Sequence, residues 1–184
     1  LLIGPVKNSA GSTVYLYRLP GDNPYAWVAP TIAKAPDSDV ESAVLNPRFD
    51  PLRVAVFDTA AAVAAPTPAA LPDRLALTTS TSAYGPGRAD IVLSAPAPAG
   101  SALVVSENYF PGWQASVDGK QVPVYRADFN LIGIPLPTGA RSVSLLFHDA
   151  AVTTGKAVTI VASLLALLAL GAGAISDRRE RRLV

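Results

Sequence analysis

The sequence predicts a mainly β, jelly-roll-like sandwich with one short helix, followed by a single C-terminal transmembrane helix. Two observations lead to this fold class. Proline and glycine divide residues 1–150 into short segments rich in Val, Leu, Ile, Tyr and Thr, which is typical of many short strands. Residues 157–175 are then 19 consecutive residues without a charge, close to the roughly 20 that a helix needs to cross a bilayer.

Ten strands are predicted before the apolar run, each bounded by turn-forming residues. The segment around Val54 and Val56 shows the alternation that is typical of a half-buried strand. The predicted strands are 13–19, 25–33, 52–58, 75–81, 89–95, 101–107, 113–118, 121–126, 130–135 and 142–148.

One short helix is predicted within the β region. Ser38 and Glu41 have the spacing of a capping box, with Ser38 as the N-cap. The helix should run to about Leu45, because the residue before Pro47 disfavours the helical conformation.

The chain divides by composition into five parts. An Ala/Pro-rich connection over 60–73 is either a linker between two β subdomains or a long crossing of one sandwich. We therefore expect an N-terminal β region, this connection, a sandwich core, a transmembrane helix and a basic tail, over residues 1–59, 60–73, 74–150, 156–175 and 176–184.

A hairpin centred on Asp118 and Gly119 is the clearest local prediction. Asp-Gly supplies two residues that tolerate positive φ, as a type I′ turn requires. A two-residue loop pairs Val117 with Lys120 and places one face toward the core. Pro123 cannot donate a ladder hydrogen bond, so its strand should be an edge or carry a bulge. The core-facing set is Trp113, Ala115, Val117, Val122 and Val124.

The C-terminal apolar run is followed by a basic tail, which sets the expected topology. Arginines in a short flank favour the cytoplasmic side, so residues 1–155 should be extracytoplasmic; the alternative is a buried core helix. Gly171 and Gly173 suit packing against other membrane helices. The chain has no methionine and no visible signal peptide, so we expect it to be part of a longer protein. The arginines are Arg178, Arg179, Arg181 and Arg182.

Composition excludes several classes of function. There are no cysteines, which removes disulfides, thiolate catalysis and Cys-ligated zinc. Residues 1–156 carry 11 basic and 12 acidic side chains, so no nucleic-acid partner is predicted. His148 is the only histidine, which disfavours a catalytic triad or a multi-histidine metal site. We predict no cofactor, no metal site and no catalytic residue in this chain.

Residues 106–147 resemble the C-terminal part of the bacterial membrane-protein YfhO family. The resemblance covers most of the chain, with 106–147 as its strongest stretch, and upstream it includes residues 14–18, 24–27 and 49–51. The elements that match the family are, in order, a strand ending in Ser-Glu, an aromatic pair, a hairpin, a strand, and a last strand before a transmembrane helix. The matching motifs are Pro111-Gly112-Trp113, Val117-Asp118-Gly119, Tyr125-Arg126-Ala127 and Gly133-Ile134-Pro135 with Gly139.

The resemblance implies a function for a larger parent protein in the bacterial cell membrane. YfhO-like proteins are similar to polytopic glycosyltransferases that use polyprenyl-phosphate sugars to decorate cell-envelope polymers. In that class the catalytic acidic residue lies in an early loop of the N-terminal membrane region, which this chain does not contain. The implied role here is an accessory domain and anchor. Its partners would be the lipid bilayer, the parent's other transmembrane helices, and an envelope glycan or lipid-linked sugar.

The candidate ligand-binding residues are Tyr109, Phe110 and Trp113. Exposed aromatic rings offer flat faces for sugars, and Glu107 and Asn108 stand nearby for hydroxyl groups; the alternative is that all three rings are structural. Two carboxylate hypotheses are weaker. Asp118 is better explained as a turn residue. A pair of Glu107 with Asp128 for glycoside chemistry depends on a separation that sequence does not give. A carbohydrate-binding module and a ligand-free structural anchor are the alternative functions.

Overall fold

The computed structural model describes residues 2–18, 24–66 and 68–180. The chain divides into two compact units, Leu1–Leu146 and Phe147–Val184. The described strands and helices follow the order β1 Leu2–Lys7, β2 Thr13–Tyr17, β3 Ala26–Ala29, β4 Ile32–Ala35, α1 Asp37–Val44, β5 Ala55–Asp58, β6 Thr79–Gly85, β7 Arg88–Leu93, β8 Ala102–Asn108, β9 Trp113–Val117, β10 Lys120–Val122, β11 Tyr125–Ala127, β12 Leu131–Pro135, β13 Ser142–Phe147 and α2 Ala150–Glu180.

The strands of the first unit form three sheets. β1 and β2 make a two-stranded ribbon by themselves. A five-stranded sheet has the order β10-β9-β13-β7-β6, and a six-stranded sheet has the order β3-β8-β12-β11-β5-β4. The pairings described are antiparallel apart from that of β4 with β5, which is parallel and is connected through α1.

The two larger sheets pack face to face around the main hydrophobic core. The six-stranded sheet contributes Val28, Leu103 and Ile134, and the five-stranded sheet contributes Ile91 and Leu145, all in one buried cluster. Side chains from two inner faces that interdigitate in this way define a β-sandwich. The prediction of a mainly β fold is confirmed.

The six-stranded sheet is also covered on its outer face. Val104, between the core residues Leu103 and Val105 of β8, belongs with Phe57 and Ala127 to a second buried cluster. Val40 of α1 packs in a third cluster over Val54 and Val56. A strand covered on both faces shows a continuous apolar run instead of alternation, which is why residues 102–105 are uniformly apolar.

Three strand predictions were wrong in detail, and strand β1 was not predicted: the predicted strand 75–81 is displaced to β6, Thr79–Gly85, and two others are each divided. The predicted strand 25–33 is two strands, β3 and β4, interrupted at Pro30 and Thr31. The predicted strand 121–126 is also two, and they lie in different sheets: β10 ends before Pro123, and β11 starts at Tyr125 in the six-stranded sheet. Proline removes a ladder hydrogen bond, so the chain leaves one sheet there and enters the other.

The predicted capping box at Ser38 was wrong. Helix α1 starts at Asp37, with Pro36 as its N-cap and no side-chain hydrogen bond at the cap. Pro36 has the extended conformation, with φ −68° and ψ 157°, and its carbonyl accepts from Val40 N at 3.0 Å. Ser38 lies inside the first turn, where its hydroxyl donates to Asp39 Oδ1 at 3.2 Å. The predicted end near Leu45 is confirmed, because Leu45 is the C-cap.

The predicted Asp118–Gly119 hairpin is confirmed in its turn and in the pairing of β9 with Lys120–Val122. Asp118 and Gly119 have φ of 48° and 80°, as a type I′ turn requires. Val117 pairs with Lys120, and Ala115 with Val122. Ala115 and Val117 are buried in the main core, and the other three predicted core residues, Trp113, Val122 and Val124, pack against it partly buried. β10 is an edge strand, as expected from the proline that follows it at position 123.

The Asp118 carboxylate ties this turn to the start of β13. It accepts hydrogen bonds from Ser142 N and Ser142 Oγ, each at 2.9 Å, and from Arg141 N at 3.2 Å. The hydrogen bond from the Ser142 side chain is the main reason that the pKa of Asp118 lies below its usual value. These contacts give the carboxylate a structural role in holding two strands together.

We expect Asp118→Ala to destabilise the sandwich and Asp118→Asn to restore most of the loss. Alanine removes three acceptor contacts and disfavours positive φ, whereas asparagine accepts hydrogen bonds and tolerates that conformation. Because folding lowers the pKa of Asp118, its stabilisation is present above about pH 4 and is lost as the pH falls further. Urea unfolding at pH 7 and pH 3 measures both effects. An alanine variant as stable as the parent chain at pH 7 would contradict this role.

The second unit contains helix α2, whose 31 residues correspond to a length of about 46 Å at ~1.5 Å per residue. Ala151–Leu170 is long and apolar enough to cross a membrane, with a mean hydropathy of 1.8, and its side chains are exposed. The prediction of an apolar C-terminal helix that can span a membrane is confirmed. The predicted span 156–175 overlaps this segment. The surroundings of Gly171 and Gly173 lie outside what the structure describes, as do the side chains of Arg178 and Arg179. Arg181 and Arg182 lie outside the described residues altogether.

Candidate functional site

The candidate site lies where the edge strands of the two large sheets meet. β3 is an edge of the six-stranded sheet and β6 is an edge of the five-stranded sheet. Thr79 Oγ1 of β6 donates a hydrogen bond to the carbonyl of Ala26 in β3. Next to Ala26, Tyr25 accepts through its carbonyl from Ser106 N of β8 at 2.8 Å. The backbone therefore brings Tyr25, the end of β8 and the edge strand β6 together.

Three side chains form the centre of this site, which we call the Glu107 cluster: Tyr25, Tyr84 and Glu107. The hydroxyls of Tyr25 and Tyr84 each donate to Glu107 Oε1 at 3.2 Å. The two rings stand edge to face, with centroids 5.3 Å apart and planes inclined by 77°, a preferred geometry for an aromatic pair. One carboxylate oxygen thus accepts from two phenols, one on β6 and one directly before β3.

The electrostatics of the cluster keep both tyrosines protonated. Burial, followed by the Glu107 charge, raises the pKa of Tyr25 well above its usual value. The hydrogen bond to Glu107 is the main cause that raises the pKa of the exposed Tyr84. Both phenols are therefore hydrogen-bond donors at neutral pH. A carboxylate has about four acceptor positions, so two phenol bonds leave capacity for the hydroxyls of a ligand.

The three predicted ligand-binding residues follow the cluster along the chain and have different environments. Phe110 is 59% exposed, so its ring is accessible. Tyr109 and Trp113 are partly buried and pack against the main core. Tyr109 N donates to the carbonyl of Asn130 at 2.8 Å, which fixes the turn after β8. The partly buried Tyr109 and Trp113 help to pack this end of the core, and sugar contact by the three rings stays a prediction.

Tyr25 and Tyr84 were not predicted as site residues. Both are far from Glu107 along the chain, 82 and 23 residues away, and they come close only through the sheet topology. The sequence signal for Tyr25 is its place in residues 24–27, which carries part of the family resemblance but indicates no site. Tyr84 precedes Gly85 at the end of β6 and belongs to no motif of its own.

Asp128, the other carboxylate considered for chemistry with Glu107, is a buried structural group. It lies in the turn between β11 and β12, and its Oδ1 accepts from Val56 N at 2.8 Å. Glu107 and Asp128 therefore have different partners, one on the tyrosines and one on β5. Within residues 2–18, 24–66 and 68–180, no three His, Asp or Glu side chains are placed to hold a metal ion.

The chain matches a known family over part of its length. Residues 90–159 match the model of a family described as bacterial membrane protein YfhO. The matched stretch starts in β7, includes the strands from β8 to β13, and ends inside α2. No curated protein matches the chain, and no solved structure matches it.

Proposed function

Because residues 90–159 match the model of the YfhO family of bacterial membrane proteins, we propose that the chain is the outer β domain and membrane anchor of such a protein. In this proposal the sandwich is extracytoplasmic and non-catalytic. It serves a YfhO-like integral membrane glycosyltransferase that acts on cell-envelope polymers, either by positioning the acceptor or by covering the membrane active site. Helix α2 anchors the domain and packs against the parent protein's other transmembrane helices.

One observation carries this proposal: the family match runs without interruption from the sandwich into the apolar helix. It includes β7 at its start and the first residues of the Ala151–Leu170 segment at its end. The matched stretch thus joins the strands β8–β13 of the sandwich to the start of the helix, which supports reading them as one region of a membrane protein. A domain attached to the membrane in this way is suited to act on molecules at the membrane surface.

The orientation can be tested with single cysteines, since the chain contains none. We expect Thr59→Cys, at an exposed turn after β5, to react with a membrane-impermeant maleimide in intact bacteria. A cysteine appended after Val184 should react only after the cells are permeabilised, because arginine-rich flanks favour the cytoplasm. The reverse labelling pattern would overturn the extracytoplasmic assignment.

The accessory role is tested in the parent protein by replacing the sandwich with a flexible linker while keeping α2. We expect transfer to the native acceptor to be lost or redirected, with the protein still present in the membrane. A matched control replaces only the β1–β2 turn, residues 8–12, with another polar turn. Full transfer activity and unchanged acceptor choice without the sandwich would contradict the accessory role.

A second candidate function, carbohydrate binding by the sandwich itself, is favoured by the Glu107 cluster and the exposed Phe110. Protonated phenols, a carboxylate with acceptor capacity and an accessible ring are the groups that recognise sugar hydroxyls and apolar sugar faces.

We expect Phe110→Ala to weaken glycan binding by the chain in detergent roughly two- to tenfold, from the loss of about 0.5–1.5 kcal/mol of aromatic contact. Tyr84→Phe should also weaken binding, because it removes one donor from Glu107. Leu45→Ala, at an exposed apolar residue after α1, is the matched control. The measurement is titration against a panel of neutral and amino sugars. Binding to none of them, or equal binding by all variants, would exclude this function.

A further inference from the structure

The β1–β2 ribbon exposes apolar side chains on both of its faces. Val14 and Leu16 alternate with Tyr15 and Tyr17 along β2, so the two pairs point to opposite sides. Each of these four side chains is exposed, as are those of Leu2, Ile3 and Val6 in β1, at 40–63%. A two-stranded ribbon is at best marginally stable alone in water, so this surface calls for an apolar environment.

The ribbon has a defined local structure despite this exposure. Asn8 Oδ1 accepts from Ala10 N at 3.1 Å and from Ser12 N at 2.9 Å, which fixes the turn. Lys7 Nζ donates to Thr13 Oγ1 at 2.7 Å across the strands. The apolar side chains are therefore presented by a formed hairpin.

Charge indicates which apolar environment fits the ribbon. Residues 2–18 contain Lys7 and Arg18 and no acidic residue, whereas residues 24–149 contain eight basic and eleven acidic side chains. Residues 2–18 therefore have a net charge of +2, of which Lys7 lies in the ribbon itself and Arg18 directly follows it, and residues 24–149 have a net charge of −3. Aliphatic residues, tyrosines and basic residues without acids are the composition of segments that bind the surface of anionic bilayers.

We propose that the β1–β2 ribbon binds the headgroup region of an anionic lipid bilayer. Lipid can cover both faces of a narrow ribbon that enters between headgroups, whereas a folded partner at one interface covers a single face. The Ala151–Leu170 segment gives the same chain a membrane to act on. The ribbon is thus a second, peripheral contact with lipid, independent of whether the parent protein transfers sugars.

The test uses the full chain inserted in vesicles of equal parts phosphatidylcholine and phosphatidylglycerol. Leu16→Cys and Tyr17→Cys, on opposite faces, are labelled separately with an environment-sensitive fluorophore, and nitroxides attached to lipid headgroups serve as quenchers. Ser82→Cys, exposed on β6 of the sandwich, is the matched control. We expect quenching at both position 16 and position 17 and little at position 82. Lys7→Gln should weaken contact about fivefold, the equivalent of ~1 kcal/mol per basic residue at an anionic surface.

Three results would overturn the proposal. The first is quenching at positions 16 and 17 no stronger than at position 82. The second is equal quenching in vesicles of phosphatidylcholine alone, which would remove the role of anionic lipid. The third is efficient disulfide formation between two chains of the Leu16→Cys variant without lipid quenching, which would make a second copy the occupant. Failure of the transferase proposal would leave all of these readouts unchanged.

Discussion

Gly133→Ala is expected to destabilise the sandwich by about 3 kcal/mol, at the upper end of the range for overpacked cores. A Cβ at this position would lie 2.6 Å from the Cβ of Ala127 and 2.7 Å from Cζ of Phe57. Both neighbours are buried. Gly133 also pairs with Tyr125 of β11 on one side and Val104 of β8 on the other, so its strand cannot move away. Thermal unfolding in mild detergent should show a midpoint lower by roughly 10 °C.

Gly85→Ala is the matched control, because it also changes a strand glycine, and a Cβ at Gly85 would have no other atom within 4 Å. It should leave the unfolding midpoint nearly unchanged. Phe57→Leu combined with Gly133→Ala tests the cause: the double variant should lose less stability than the two single losses combined, since a smaller side chain makes room. Additive losses in the double variant would show that contact with Phe57 is not the source of the strain.

Local features of the fold were predictable because neighbouring residues determine them. Asp118 and Gly119 define their turn, and the turn fixes which residues of β9 face the core. The apolar helix was predictable for the same reason, since span length and composition are properties of one continuous segment. The start of α1 was not predictable in this way. A side-chain cap was expected at Ser38, but Pro36, whose φ is preset by its ring, is the N-cap.

Features that depend on contacts between distant residues were not predictable. The parallel pairing of β4 with β5 and the passage of the chain between sheets at Pro123 are decided by tertiary packing. The Glu107 cluster is the clearest example, since Tyr25 reaches Glu107 only after β3 has paired with β8. The aromatic residues after β8 stand out in the sequence, but no local pattern indicates the tyrosines that bind the Glu107 carboxylate.

Asp128→Asn is expected to remove a loss of stability that the sandwich undergoes as the pH rises from about 4 to 7. Burial raises the pKa of Asp128 to about 7, against the lowering effect of the hydrogen bond from Val56 N. Its Oδ2 is buried with no hydrogen-bond partner among the described residues. Asparagine keeps an acceptor for Val56 N and tolerates the φ of 46° at this position, but it cannot carry a charge.

The pKa of Asp128 is about 7 in the folded chain and about 4 in the unfolded chain, and this difference sets how stability changes with pH. Below about pH 4 the carboxyl is protonated in both the folded and unfolded states, so its contribution to stability is fully present. Between about pH 4 and pH 7 the unfolded chain releases the proton while the folded chain keeps it, and the free energy of unfolding falls by on the order of 4 kcal/mol. The asparagine variant lacks this loss, so it should match the parent chain near pH 4 and become progressively more stable than it up to pH 8.

Urea unfolding of both chains in detergent at intervals from pH 4 to pH 8 measures this difference, and the subtraction cancels the titration of all other groups. Asp39→Asn, on the exposed face of α1, is the control for the same carboxyl-to-amide change outside the core. Asp128→Ala should be less stable than asparagine throughout, because it leaves Val56 N without its acceptor. Parallel curves for the parent chain and Asp128→Asn would show that the buried carboxyl does not hold its proton. If the two stability curves instead diverge as the pH rises, the turn between β11 and β12 is the part of the sandwich that neutral pH destabilises. Asp128 in this turn is hydrogen-bonded to Val56 N of β5.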